Sequence, residues 1–173
     1  KKKLYMTEYK VKSTDTRKFS LTQNDIILGD LTYEKWFSFT SEIILADNSR
    51  YQIEPKGFWG TTIEVRDEKN ILLNFKMNWN SNIIINTKFE NVENHFVFKP
   101  KGIFKSTYAL FDTEGQEILV IQPDFKWSKF NYDYCIITSD TFNKFANNEL
   151  LLLATIHCAN YYMTMMSTII AAG

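Results

Sequence analysis

The chain has 173 residues, of which 45% are hydrophobic, 16% aromatic and 23% charged, with 20 basic side chains against 20 acidic ones. That length suits one domain with a sizeable core, and 6 Gly and 3 Pro leave no low-complexity linker. Zero net charge lacks the electrostatic footprint of a nucleic-acid binder.

The high aromatic share favours strands over helices. Residues 1–20 are mixed and basic, and Leu4, Met6, Tyr9 and Val11 suggest a first strand. Lys1, Lys2 and Lys3 do not lead into a long apolar run, so no signal peptide is expected. The sequence does not begin with Met, so residues upstream are expected. Asp25 to Gly29 is a short apolar run, and Gly29-Asp30 reads as the turn that ends it. Leu31, Tyr33, Phe37, Phe39, Ile43 and Leu45 then share one parity while Thr32, Glu34, Ser38, Thr40 and Glu42 share the other. A period of two with one dry face predicts a strand, and its length predicts a bend or bulge near Phe39 to Ser41.

Strand and turn then alternate. Turns at Asp47–Arg50, Pro55–Gly57, Asp67–Asn70 and Asn80–Asn82 separate strands at Tyr51–Glu54, Thr61–Arg66, Ile71–Met77 and Ile83–Phe89, and the rhythm continues to Thr138. Strands broken by Gly, Pro, Asn and Asp at a spacing of about 8–12 residues indicate a sandwich or barrel. There is also a repeat. Pro55-Lys56-Gly57 lines up with Pro100-Lys101-Gly102 at an offset of about 45 residues, Asp67 with Asp112, and, after a small insertion, Trp79 with Trp127. Two copies cannot close a propeller, so two similar halves of one closed sheet are expected.

Asp140 to Asn148 reads as a short lead-in, with Asn147 or Asn148 at the N-cap position and Glu149 in the first turn, where a negative charge suits the helix dipole. From Leu150 to Gly173 there is no charged residue. About 20 apolar residues span a bilayer, but Thr155, His157, Asn160, Thr164, Ser167 and Thr168 are costly in lipid, and no Lys or Arg closely flanks the segment. The one-sided strands upstream need something to pack on. At roughly 12 residues per strand and turn, the preceding chain makes about 12 strands. A ring of that size accommodates a helix roughly 10–12 Å across. The expectation is one mostly-β domain over 1–173: a closed antiparallel barrel of about 12 strands (about 4–138) around a central hydrophobic C-terminal helix (about 149–172). An eight-stranded calycin-type cup with the helix outside would need an amphipathic helix, and this one has no charged face.

A barrel of this kind resembles the tubby C-terminal-like superfamily, which includes the LURP-one-related proteins and the phospholipid scramblases. The residues that carry the likeness are the Asp-turn hairpins at 65–73 and 110–120 and the terminal segment Leu150–Ala172. The LURP-one-related D-x-x-G turn matches Asp112–Gly115 and, with Asn in the glycine position, Asp67–Asn70. Scramblases carry an acidic calcium-binding stretch beside the final helix. Only Asp140 and Glu149 stand there, so calcium is not expected, and the basic pair of the tubby phosphoinositide site has no counterpart.

Chemical motifs are few. His157, inside the apolar helix, reads as a hydrogen-bonded core residue, and its neighbour Cys158 points about 100° away rather than towards it. His95 reads as a surface residue, and Cys135 and Cys158 as buried reduced thiols. No Gly-rich phosphate loop, H-E-x-x-H, G-x-S-x-G or calcium loop occurs. No catalytic residue, metal or cofactor is therefore assigned. The aromatics Trp36, Phe37, Phe39, Phe58, Trp59, Trp79 and Trp127 read either as barrel wall and core or as a ligand site. Lys99, Lys101, Lys105, Lys126 and Lys129 form a candidate patch for anionic lipid, the alternative being an ordinary solvated face. The expectation is a monomeric, non-enzymatic binding or scaffold domain. It would be cytoplasmic or peripheral to a membrane, acting through its outer surface on phospholipid head groups or a protein partner. The lack of any Asn-x-Ser/Thr sequon fits the cytoplasm. The alternative is a scramblase-like protein whose last helix inserts in the bilayer.

Overall fold

The structure, a computed structural model, describes residues 6–15, 17–35, 39–57, 62–78, 80–102 and 107–172, with the side chains of the final helix described as far as Thr164. Twelve strands run β1 (Met6–Ser13), β2 (Lys18–Gln23), β3 (Ile26–Tyr33), β4 (Ser41–Leu45), β5 (Arg50–Lys56) and β6 (Thr62–Arg66), then β7 (Ile71–Met77), β8 (Ile83–Phe89), β9 (Val92–Lys101), β10 (Thr107–Phe111), β11 (Glu117–Lys126) and β12 (Asn131–Ser139). Each pairs antiparallel with its sequence neighbours. Pairing of β1 with β12, from Met6↔Ser139 to Val11↔Tyr134, closes the barrel and leaves no open edge. Two helices follow: α1 (Asp140–Asn143), capped by the Ser139 hydroxyl, and α2 (Asn148–Ala172).

The expected architecture is present, with local corrections. β2 was not anticipated, because Lys18 and the polar residues around it mask the alternation of Phe19 and Leu21, which are buried. Gly29-Asp30 is no turn and lies inside β3. A Cβ on Gly29 would come within 3.0 Å of the Ile44 carbonyl oxygen, Leu153 Cδ1 and Leu45 Cδ2, so the glycine lets the helix approach the wall. The long alternation from Leu31 to Leu45 is two strands, β3 and β4, joined by residues 34–40. Pro55-Lys56 and Pro100-Lys101 end strands rather than forming turns, and Gly57 and Gly102, both at φ 84°, follow them.

The repeat is structural, but its unit is a third of the barrel rather than a half. Register shifts occur at Leu21/Thr22, Val65/Arg66 and Leu110/Phe111, at intervals of about 45 residues, in the hairpins β2–β3, β6–β7 and β10–β11. A bulge at each of these points increases the local twist that bends a sheet closed.

Inward residues of the wall, among them Leu21, Leu31, Ile43, Ile53, Ile85, Phe98 and Ile121, are fully buried. They meet α2, whose ten residues from Leu150 to Ala159 all have zero exposure. A helix apolar on every side suits a bore with wall all round. Burying each such Leu, Ile or Phe contributes about 1.5–3 kcal/mol. Among the described residues no helix is long and apolar enough to cross a membrane. At 1.5 Å per residue the 25-residue α2 is roughly 37 Å long, longer than the wall strands, and Thr164 is already exposed.

Because the strands alternate in direction, their connections fall at two ends. At the turn end, β2–β3 and β8–β9 are joined by two-residue turns with both residues at positive φ: Asn24 (50°) with Asp25 (64°), and Glu90 (50°) with Asn91 (62°). Elsewhere at this end, aspartate side chains close the turn. Asp67 Oδ1 accepts from the amides of Lys69 (2.8 Å) and Asn70 (2.7 Å), and Asp112 Oδ1 from those of Glu114 (3.0 Å) and Gln116 (2.9 Å). α2 enters here. Asn147, left-handed at φ 52°, precedes it, and its carbonyl accepts the Leu151 amide. Phe142 of α1 is completely buried beneath this end. At the other end, the loop end, lie the connections β1–β2, β3–β4, β5–β6, β7–β8, β9–β10 and β11–β12, and α2 leaves through it.

Candidate functional site

The helix carries a polar chain near the loop end. Asn160 Nδ2 donates to the Tyr33 hydroxyl (3.0 Å), which also shares a hydrogen bond with His157 Nδ1 (2.7 Å). The Tyr134 hydroxyl donates to Asn160 Oδ1. The His157 ring lies between Tyr33, stacked at 5.4 Å, Phe75 at 5.6 Å and Phe39 edge-on at 6.2 Å. His157 Nε2 is one of two buried side-chain atoms without a hydrogen-bond partner among the described residues. The other is Ser41 Oγ. Burial pushes the imidazole down to about 3, and it pushes the Cys158 thiol and the Tyr33 and Tyr134 hydroxyls up. A neutral imidazole and a protonated thiol, both with no exposure, have no route to a substrate. The chain fixes the depth of α2 in the bore. Thr155 bonds back to its own helix, at Leu152 O (2.6 Å), rather than to the wall.

His95 is on the surface as expected, in a polar row across three strands. Its Nδ1 meets Asn86 Oδ1 at 2.6 Å, and Asn86 Nδ2 donates to Asn74 Oδ1 at 3.2 Å. The row floors a shallow groove of about 320 Å³ that also includes Ile71, Leu72, Lys88 and Glu93. Cys135 is half-buried on the outer face of β12, so only Cys158 is the expected buried thiol, and both are free. Among the described residues no group of three or more His, Cys, Asp or Glu could hold a metal ion.

Each of the described candidate lysines has a partner of its own. Lys99 on β9 lies over the Phe111 ring at 4.6 Å, and Lys101 at the end of the same strand pairs with Glu117 at 2.8 Å. Lys126 pairs with Asp124, and Lys129 with Asp133 at 3.1 Å. Burial pushes the Asp133 carboxyl up, but the Ser13 amide, Lys129 and the Ser13 hydroxyl together hold it below its ordinary value. Lys105 lies outside the described residues.

Of the aromatic set, Trp36, Phe37, Phe58, Trp59 and Trp79 also lie outside them. Phe39 closes over α2, 4.8 Å from Tyr161. Trp127 is neither wall nor core. It sits at the tip of the β11–β12 hairpin, 77% exposed, beside Phe130 at 72%. The tip is tied to the interior through a ladder of rings. Trp127 stands edge-on to Phe125 (5.0 Å), Phe125 meets Tyr132 (5.1 Å), and Tyr132 stacks on Tyr134 (6.5 Å). The hairpin thus presents two large exposed rings, of which Trp127 is braced by the ladder.

The ends also differ in charge. Strand-to-strand connections at the turn end carry Asp25, Asp47, Asp67, Glu68, Glu90, Asp112 and Glu114 against Lys69, with Arg50 and Arg66 at the strand termini there and Lys144 between α1 and α2. Strand termini at the loop end carry Lys12, Lys18, Lys56, Lys76, Lys101 and Lys126. The zero net charge conceals this polarity. Grouping alternate connections of an up-and-down barrel would have found it in the sequence; a whole-chain sum could not. No family model, no curated protein and no solved structure matches the chain.

Proposed function

We propose that the chain is a non-enzymatic binding module of the tubby-like kind, working in the cytoplasm through the outside of its barrel on membrane head groups or a protein partner. The observation that carries this reading is the filled bore. With Leu150 to Ala159 wholly buried against the wall, the axis that a carrier barrel would give to a ligand is taken by the chain itself. The resemblance to LURP-one-related and scramblase barrels is part of the proposal, and the twelve-stranded antiparallel closure around a C-terminal helix supports it. The free thiols Cys135 and Cys158 suit a reducing compartment.

The alternative, insertion of α2 into a bilayer, has the uncharged stretch from Leu150 in its favour. Against it, the same residues are the core of the barrel, and their withdrawal would expose the inner face of every strand. Native mass spectrometry of the purified full chain tests the outer-surface reading. A bare mass of 20.4 kDa is expected. A small molecule that co-purifies and survives until denaturation would overturn it in favour of a carrier.

A further inference from the structure

We propose that the loop end docks on an anionic lipid bilayer, with Trp127 and Phe130 entering the interface and the barrel axis standing across the membrane plane. The inference rests on the reading that the outside of the barrel is its working surface, and it names the part of that surface and the partner.

Three observations converge. First, the hairpin tip places an indole and a phenyl ring in water, 77% and 72% exposed, with the Trp127 indole braced by a ladder of rings. Aromatic rings of this kind settle at the boundary between head groups and acyl chains. Second, Lys12, Lys18, Lys56, Lys76, Lys101 and Lys126 stand at this end, with Arg17, Lys35 and Lys129 against Asp15 and Glu34 in its described connections, while carboxylates outnumber bases at the other. An anionic surface attracts one end, repels the other and so orients the barrel. Third, α2 emerges at the same end, and from Thr164 to Gly173 its sequence has no charge to oppose contact with lipid. Asp30, Glu54, Glu117 and Asp124 pair with Lys18, Lys56, Lys101 and Lys126, and so offset part of the lysine charge. Ring insertion therefore contributes alongside attraction, and added salt weakens binding only in part.

The turn end supplies an internal control. It exposes Ile26 (66%), Ile27 (58%) and Val92 (59%), comparable apolar surface, but among Asp25, Glu90 and Glu93. Exposure alone predicts that both ends bind lipid, whereas the proposal predicts only one.

The test is co-sedimentation of the full chain with vesicles of phosphatidylcholine plus phosphatidylserine, and with phosphatidylcholine alone. Binding is expected to the mixed vesicles and weaker binding to the neutral ones. The pair Trp127→Ser with Phe130→Ser is expected to lower partitioning about tenfold or more with circular dichroism and melting unchanged. The pair Ile26→Ser with Ile27→Ser is expected to leave partitioning as it was. The proposal is overturned by no binding to mixed vesicles at low salt, by unchanged partitioning of the Trp127/Phe130 variant, or by an equal loss in the Ile26/Ile27 variant. Each of these would leave the bare native mass, and hence the outer-surface reading, standing. Pairing of the tip with an acidic protein instead would show as no vesicle binding.

Discussion

The two ends of the barrel perform the same task, reversing the chain between neighbouring strands, with overlapping means but a different balance of charge. At the turn end the connections are short, and Asp67 and Asp112 close them through their own carboxylates. At the loop end Asp15 Oδ1 does the same in β1–β2, accepting from the amides of Arg17 (2.7 Å) and Lys18 (3.0 Å), and an amide does that work in β7–β8. Asn78 Oδ1 accepts from the amides of Asn80 and Asn82, both at 3.0 Å. Asn and Asp make this turn equally well. Backbone geometry therefore does not demand the negative charge gathered at one end, nor does it account for the lysines and exposed rings at the other. The turn end is built to be closed and the loop end to present side chains.

That contrast can be broken, starting with the largest effect. Ala154 is wholly buried in the bore. An unpaired carboxylate in Ala154→Asp costs several kcal/mol, comparable with the stability of a whole domain. Soluble expression should fail, and a folded, soluble Ala154→Asp protein would contradict the central helix. Next come two aromatic truncations at opposite ends. Phe142→Ala, beneath the turn end, should cost about 3–5 kcal/mol in urea unfolding. Trp127→Ser, at the loop end, should stay within about 0.5 kcal/mol. Similar losses would mean that the hairpin tip is part of the core.

The third prediction concerns acid. The folded imidazole of His157 titrates near 3 because burial disfavours its charge, whereas the unfolded one keeps its ordinary value near 6.5. Above pH 6.5 both states are neutral and the group has no effect. Below it the unfolded chain binds a proton that the native chain refuses, so stability falls by about 1.4 kcal/mol per pH unit towards pH 3. In His157→Gln the slope of unfolding free energy between about pH 4.5 and 6 should drop by that amount. An unchanged slope would place the ring in contact with solvent.

Glycines give the next contrast. Gly29→Ala forces a methyl against backbone and two leucine side chains at 3.0 Å, and should cost about 1–3 kcal/mol. Gly57→Ala meets nothing within 4 Å, and only its φ of 84° penalises it, by about 1 kcal/mol. The smallest effect belongs to Asp67→Asn with Asp112→Asn. The turns keep their acceptors, so the melting temperature should move by no more than roughly 2–4 °C. A larger drop would show that charge, and not only geometry, holds the turn end together.

Much of the wall was legible because its signals are local. Asp, Asn and Gly mark the reversals, and inward alternation marks the strands between them. The errors have local causes too. Tyr33, Phe39 and Ile43 share a parity across the β3–β4 connection because Phe39 caps the helix with the same face that Tyr33 and Ile43 turn inward, so a connection imitated a strand. Gly29 looked like punctuation because its reason, the approach of Leu153, lies more than 120 positions away. Trp127 looked like core because composition cannot tell a ring on a hairpin tip from a ring in a wall.

The helix follows all twelve strands in the chain, and this orders events during synthesis. Until Asn148 to Ala159 have left the ribosome, the inner faces of the strands have nothing to fill them. β1 cannot close on β12 until the pairing between Ser13 and Asp133, 120 residues apart, becomes available. Partial chains therefore carry a long inventory of unpaired edges and apolar faces. Closure of the barrel and filling of its bore both wait on the last part of the chain.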